Sequence, residues 1–322
     1  MTALDLEKAR TVRIGAVEIG AGSVRFVALE VGVDDYFKIV GSDHCLVDLQ
    51  WRSGDIDAAE FAARTAAEYE RQCAHLYCEE IVTFITAPWR RWTDPVERCF
   101  RKHIPRLITL TPQEEAGFAL LGSTIQLSHK ISGDSFCVLD VGRGSIQLAR
   151  GRYVGKSAES VESQSWPAGT QVARDVLQRA QHDIVVAFDE LRKLIHSAEL
   201  QIKPNEPVIA LGSCVTNLAR ITHLPELRRP RMAKIHGLEV TTHDIARLVL
   251  LQQRDSGNFN QLVEGNGAFA DRDTTLAGLL TLACVCEIAR INKFTISTYG
   301  TRFGLAISRA KQVHSASSER PI

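Results

Sequence analysis

The stretch "FCVLDVGRGSIQLARGRYV" at residues 136–154 decides the fold, because its plan already stands earlier in the chain as "RIGAVEIGAGSVRFVALEV" at 13–31. Each is an apolar run of strand length, an acid, a Gly-x-Gly-Ser turn and a second β-rich run, which is the grammar of a hairpin. A tight turn needs glycine for positive φ, but it needs neither an acid just before the loop nor a serine just after it. Two such hairpins, each opening an α/β stretch, predict an internally duplicated α/β fold with a cleft between its halves.

The segments between the hairpins support that reading. "DAAEFAARTAAEYERQCAHL" at 57–76 has helical apolar spacing, and "EIVTFITAP" at 80–88 is β-rich and stops at proline. "TPQEEAGFALLGS" at 111–123 starts with Thr-Pro and carries acids in its first turn, as a helix start does. "IQLSHKISGDS" at 125–135 is polar, so the boundary is placed there: a first domain at 1–125, a second at 126–308 and a frayed polar tail at 309–322. In the second domain "VIALGSCVTNLARI" at 208–221 runs from strand to helix, "TTLAGLLTLACVC" at 274–286 is a buried helix too short to span a bilayer, and "FTISTYGTRFGLAIS" at 294–308 is strand, turn and helix.

Composition narrows the functional classes. The 322 residues are 45% apolar, and 38 basic residues balance 38 acidic ones, which argues against a broad surface for duplex nucleic acid or membrane. The opening residues lack the apolar core of a signal peptide, and the 8 cysteines form no CxxC pair, so a cytoplasmic protein with reduced, mostly buried thiols is expected. No GxSxG elbow or His-acid-Ser spacing supports triad hydrolysis.

The paired loops point instead to phosphate and a metal. Glu18 and Asp140 suit Mg²⁺, while N–H groups around Gly22 and Gly144 and the hydroxyls of Ser23 and Ser145 suit phosphate oxygens. Gly212 and Ser213 open a helix whose N–H groups would suit an anion. "TAPWRRWTDP" at 86–95 sets Arg90 between tryptophans, either solvated or gripping phosphate, and "LRRPRMAK" at 227–234 is either a polyanion path or a basic surface loop. Arg143, inside the second loop, is either a further phosphate hook or a plug in the ligand's place.

The order of these segments resembles the exopolyphosphatase/guanosine pentaphosphate phosphohydrolase (Ppx/GppA) family, of the actin, sugar kinase and Hsp70 fold group, over about residues 12–308. "AVEIGAGSVRFVALE" is similar to its first phosphate segment, "TAPWRR" to its T-S-A-x-R stretch and "LTPQEEAGFALLG" to its S-G-x-E-E-A helix. "VLDVGRGSIQLARG" is similar to its second phosphate segment, "VIALGSCVTNLA" to its next glycine turn and "DRDTTLAGLLTLACVCEIARINKFTISTYGTRFGLA" to its closing region. The resemblance implies two actin-like (ribonuclease H-like) α/β domains and a hydrolase of inorganic polyphosphate or guanosine pentaphosphate that uses Mg²⁺ or Mn²⁺. It implies Glu114 as the base that activates water, with Glu115 the second candidate. Arg25 and Arg90 would grip phosphate, Gly22, Ser23, Gly144 and Ser145 would cradle it, and Glu18 and Asp140 would hold the metal. Homodimers are common in the family, so a dimer is implied too.

Departures fall inside the site. Glu18 stands where the family has Asp, Ala21 and Gly22 replace Ser and Asn, and Arg143, Ile146 and Gln147 replace Gly, Thr and Glu. A glutamine brings no charge, so metal affinity should fall. These changes carry the alternative reading, a catalytically weak or inactive phosphate or nucleotide sensor. An ATP-dependent enzyme of the same fold group is a third, which the helix at 111–123 and the C-terminal region fit less well.

Overall fold

The computed structural model describes residues 11–33, 36–47, 56–86, 94–128, 131, 135–154, 157–195, 202–223, 232–265 and 271–318. The chain divides into two units, residues 1–122 with 301–322, and residues 123–300.

In the first unit β1 (Thr11–Ile19), β2 (Ser23–Gly32) and β3 (Phe37–Leu46) form an antiparallel meander, and β4 (Glu80–Ile85) and β5 (Ile108–Thr109) add in parallel beside β1, giving the order β3-β2-β1-β4-β5. A strand at the centre of such a sheet is covered on both faces, which is why β1 reads as nearly continuous apolar sequence. One face, through Val17 and Ile19, packs on α1 (Ile56–His75) and α2 (Asp94–His103) in a core that includes Phe26, Ala62, Tyr69 and Phe100. At Gly15 that helix comes so close that a β-carbon would lie 2.8 Å from Cys73 Sγ. Ile14, Ala16 and Glu18 point to the opposite face, which α11 (Thr301–Ser318) covers. The unit also contains α3 (Pro112–Ser123).

The second unit repeats the plan. Its sheet runs β8 (Ser157–Trp166), β7 (Ile146–Val154), β6 (Phe136–Val141), β9 (Val208–Leu211), β11 (Lys293–Ile296), with β10 (Glu239–Thr241) added antiparallel at the far edge. Its helices are α4 (Thr170–Arg179), α5 (Ile184–Leu194), α6 (Ser213–His223), α7 (Met232–Ile235), α8 (Thr242–Arg254), α9 (Ser256–Gly265) and α10 (Arg272–Ala289). The core gathers Leu139, Leu148, Val215, Leu280 and Phe294. Meander first, then parallel strands on the meander's opening strand: both sheets have the ribonuclease H-like order that the resemblance implies. No helix among the described residues is long and apolar enough to cross a membrane.

Two expectations are corrected at the C-terminus. Residues 301–308 belong to the first unit, not the second, and the polar tail is helical to Ser318. Phe303, Ala306, Ile307 and Ala310 recur at helical spacing and are buried, while Gln312 and Ser315 are exposed, so the helix is amphipathic. Gly304 makes the docking possible, since a β-carbon there would overlap the Phe118 carbonyl oxygen of α3. Further along, His314 Nε2 meets the Val31 carbonyl oxygen at 3.2 Å.

Candidate functional site

Both loops are built alike. Gly20 N donates to Ser23 O at 3.0 Å, and Gly142 N donates to Ser145 O at 2.9 Å. Each hydrogen bond closes the loop just past the acid through a backbone N–H, and neither Gly20 nor Gly142 takes the positive φ that the turn was expected to need. Ser23 and Ser145 follow as buried residues at the starts of β2 and β7.

In the first unit, strand register aligns Glu18, Arg25 and His44 side by side on β1, β2 and β3. Directly opposed residues share a face, so these three stand on the side covered by α11. From that helix Arg302 Nη1 donates to Glu18 Oε2 at 3.3 Å, with both side chains about one-fifth exposed. His44 titrates below its ordinary range because burial and the nearby Arg25 and Arg302 charges oppose its protonation, more than Asp43 favours it.

In the second unit the loop is held from behind by α4. Thr170 N donates to Gly142 O and Gln171 N to Arg143 O, each at 3.0 Å. Because a trans peptide sets its N–H opposite its C=O, the N–H groups of Arg143 and Gly144 face away from α4, in the manner of a backbone nest for an oxyanion. The approach is close enough that only glycine is tolerated at position 169, where a β-carbon would lie 2.6 Å from Ser145 N. Arg143 bends back onto the same helix. Its Nε and Nη2 donate to Gln171 Oε1 at 3.1 and 2.9 Å, and Gln171 Nε2 donates on to Asp175 Oδ1 at 2.9 Å. Gln147, buried directly opposite Asp140, donates from Nε2 to Ser145 Oγ at 2.9 Å. β9 pairs Leu211 with Asp140, and Gly212 follows with φ 118, where a side chain would collide with the Val141 carbonyl. Asp140, Ser145, Gly212 and Ser213 are therefore brought to one end of one sheet. Burial and the Asp140 charge push the Cys214 thiol up to about 12.

Glu114 sits in the first turn of α3 and is exposed. Its Oε2 accepts from Thr111 N at 2.8 Å and Thr111 Oγ1 at 2.9 Å, while Glu114 N donates to Thr111 Oγ1 at 3.2 Å. Such reciprocity is a capping box, which fixes the carboxylate in place. Glu115, by contrast, is buried. Arg90 and the arginines of 228–231 lie outside the described residues. Sequence reading missed Arg302, His44, Gly169 and Gln171. Only the Arg-x-Gly spacing of Arg302 and Gly304 carried a signal for any of them.

Taken within each unit, these donors do not fit Mg²⁺ or Mn²⁺. The one carboxylate of the first loop, Glu18, is engaged by a guanidinium, and the second loop pairs its one carboxylate with an amide whose nitrogen is turned to Ser145. Among the described residues no cluster of three or more His, Cys, Asp or Glu side chains is arranged to hold a metal ion. Hard divalent cations take oxygen ligands and favour several carboxylates.

At the level of sequence, no family model and no curated relative matches the chain. Solved structures do. A PPX-GPPA enzyme of Aquifex aeolicus superposes with a TM-score of 0.72 at 22% identity, covering 93% of this chain and 100% of its own. An exopolyphosphatase-like protein gives 0.71 at 17%, covering 94% and 99%. An exopolyphosphatase from Cytophaga hutchinsonii gives 0.67 at 17%, covering 93% and 98%. The likeness extends over nearly the whole of both chains: this protein has the Ppx/GppA fold.

Proposed function

We propose that the chain is a phosphoanhydride hydrolase that releases terminal phosphate from inorganic polyphosphate or guanosine pentaphosphate. The observation that carries the reading is the pair of equivalent acid-x-Gly-x-Gly-Ser loops, each closed by the same Gly N to Ser O hydrogen bond and each at the end of a central strand. Arg25 and Arg302, with Arg90 from the sequence resemblance, neutralise phosphate oxygens, and the nest at Arg143 and Gly144 cradles a phosphate in the second loop. Glu114, oriented by Thr111, takes a proton from water as the water oxygen bonds to the terminal phosphorus. The bridging P–O bond breaks, and its electron pair leaves with the shortened polyphosphate or nucleotide. Positioning and charge neutralisation do most of such work, because a phosphoryl transfer asks for little covalent chemistry from protein.

A second reading, a phosphate or nucleotide sensor without turnover, is favoured by the engagement of Glu18 with Arg302 and of Arg143 with Gln171. Phosphate release from polyphosphate and from guanosine pentaphosphate, assayed with and without Mg²⁺ or Mn²⁺ on wild type and Glu114→Gln, separates the two. Turnover lost in the variant supports the hydrolase. Saturable ligand binding with no turnover in either protein replaces it with the sensor.

A further inference from the structure

The C-terminus of α1 brings two cysteines together in a way their spacing conceals. Cys78 N donates to Cys73 O at 3.1 Å and Tyr77 N donates to Ala74 O at 2.9 Å, while Tyr77 takes φ 58. These two bonds around a left-handed residue are a Schellman motif, in which the side chains at its first and last positions touch. Here both positions are cysteine, so the motif sets the two thiols side by side. In most helices that contact is apolar and inert; in this chain it is a dithiol.

Its two sulfurs have unequal surroundings. Cys73 is fully buried against Gly15 of β1, where only a glycine leaves room for it. Cys78 is partly exposed at the head of the link to β4. Arg13 stands beside it, held by Glu30 through Nε at 2.9 Å and Nη2 at 2.8 Å, and donating from Nη1 to Leu76 O at 3.2 Å. The neighbouring Cys73 thiol and the Arg13 charge, acting against burial, hold Cys78 below the ordinary thiol range. The Cys78 neighbour, with burial, pushes Cys73 up. A partly exposed thiol beside a guanidinium, backed by a buried thiol in contact, has the arrangement of an attacking and a resolving cysteine.

We infer that Cys78 and Cys73 form a hydroperoxide-sensitive pair that closes to an intramolecular disulfide. The Cys78 thiolate attacks the terminal oxygen of a hydroperoxide, the O–O bond breaks, and the departing oxygen takes a proton and leaves as water or an alcohol, with Cys78 now a sulfenic acid. The Cys73 sulfur, losing its proton, then attacks Cys78 Sγ; the S–O bond breaks and water leaves. The two thiols lose two electrons in total and the hydroperoxide gains them. A rapid second step keeps Cys78 from the irreversible sulfinic stage. This inference is independent of the phosphate chemistry.

The test uses the full chain, reduced and then exposed to hydrogen peroxide, with tryptic peptides read by mass spectrometry. No lysine or arginine lies between Gln72 and Trp89, so both thiols fall on one peptide. That peptide is expected to become two hydrogen masses lighter, to regain them with a thiol reductant, and to react faster than the partly buried Cys45 of β3. In Cys73→Ala a trapped sulfenic acid should accumulate on Cys78, and in Cys78→Ser the Cys73 thiol should stay reduced. The wild-type result stands even if Cys73→Ala fails to fold, since Cys78→Ser changes a partly exposed position. Oxidation of Cys78 no faster than Cys45, direct passage to sulfinic acid, or a disulfide between two copies would each overturn the proposal.

Discussion

Arg302 Nη1 reaches Glu18 Oε2 at 3.3 Å, joining the last helix of the chain to its first strand across 284 residues. This pair sets a cation where the loop was expected to hold a metal. Arg302→Gln should therefore weaken phosphate or polyphosphate binding by roughly tenfold or more, as loss of a charged hydrogen bond worth about 1.5–3 kcal/mol does. Glu18→Gln frees the guanidinium and should leave affinity equal or higher. Calorimetric titration in the presence of a chelator reads both, and a Glu18→Gln variant that loses binding only when Mg²⁺ is added would restore a metal role to Glu18.

Glu114→Gln distinguishes a catalytic carboxylate from a capping one. Glutamine keeps the reach back to Thr111, so stability should change by less than about 1 kcal/mol. Turnover should fall by ~10²–10⁴ if the carboxylate takes the proton from water. Equal losses of folding midpoint and rate would assign Glu114 to the helix cap alone.

Gly169→Ala should damage the second loop without touching any side chain in it. An added methyl meets loop backbone rather than a flexible side chain, so the α4 N-terminus must withdraw and its bonds to Gly142 O and Arg143 O are weakened. A cost of about 1–3 kcal/mol is expected, with reduced phosphate affinity. Gly212→Ala combines a collision with φ 118 and should cost as much or more. Urea denaturation beside ligand titration checks both, and unaltered binding in folded Gly169→Ala would remove the loop from the site.

Acid should weaken the second unit through Glu206. Burial pushes its carboxyl up, but the hydrogen bonds from Arg150, the Lys203 N–H and Ser135 outweigh it and bring it from 4.5 down to about 2. A depressed carboxylate stabilises the fold fully above the unfolded value and loses that contribution as pH falls from 4.5 through 2. The loss should be on the order of 3 kcal/mol. The stability gap between wild type and Glu206→Gln should accordingly close across that window; a gap that stays constant would place the carboxylate's pKa elsewhere.

What the sequence disclosed follows from which contacts are local. The hairpins at 13–31 and 136–154, the helices at 57–76 and 111–123 and the buried helix at 274–286 all carry their own periodicity or turn chemistry, and each is present. β3 and β8 went unread because both are edge strands: "SAESVESQSW" has only Ala158, Val161 and Trp166 as apolar residues, in no alternating pattern, and its partner β7 supplies the reason to be extended. In the site, Gly142 and Gly20 were legible as turn residues. Gln171 and Gly169 were not, since their meaning lies in a contact with a loop over twenty residues earlier, and Arg302 acquires its meaning only when the chain returns to β1.

That return makes the first unit the first to be started and the last to be finished. During synthesis β1 emerges early, yet Ile14, Ala16 and Glu18 stay without their covering helix until the residues after Gly300 have been made, by which time the second unit is complete in sequence. The nascent first sheet therefore spends most of its elongation time with one apolar face uncovered. A chain stopped just before Thr301 would keep every strand of that sheet and still lack one of its walls.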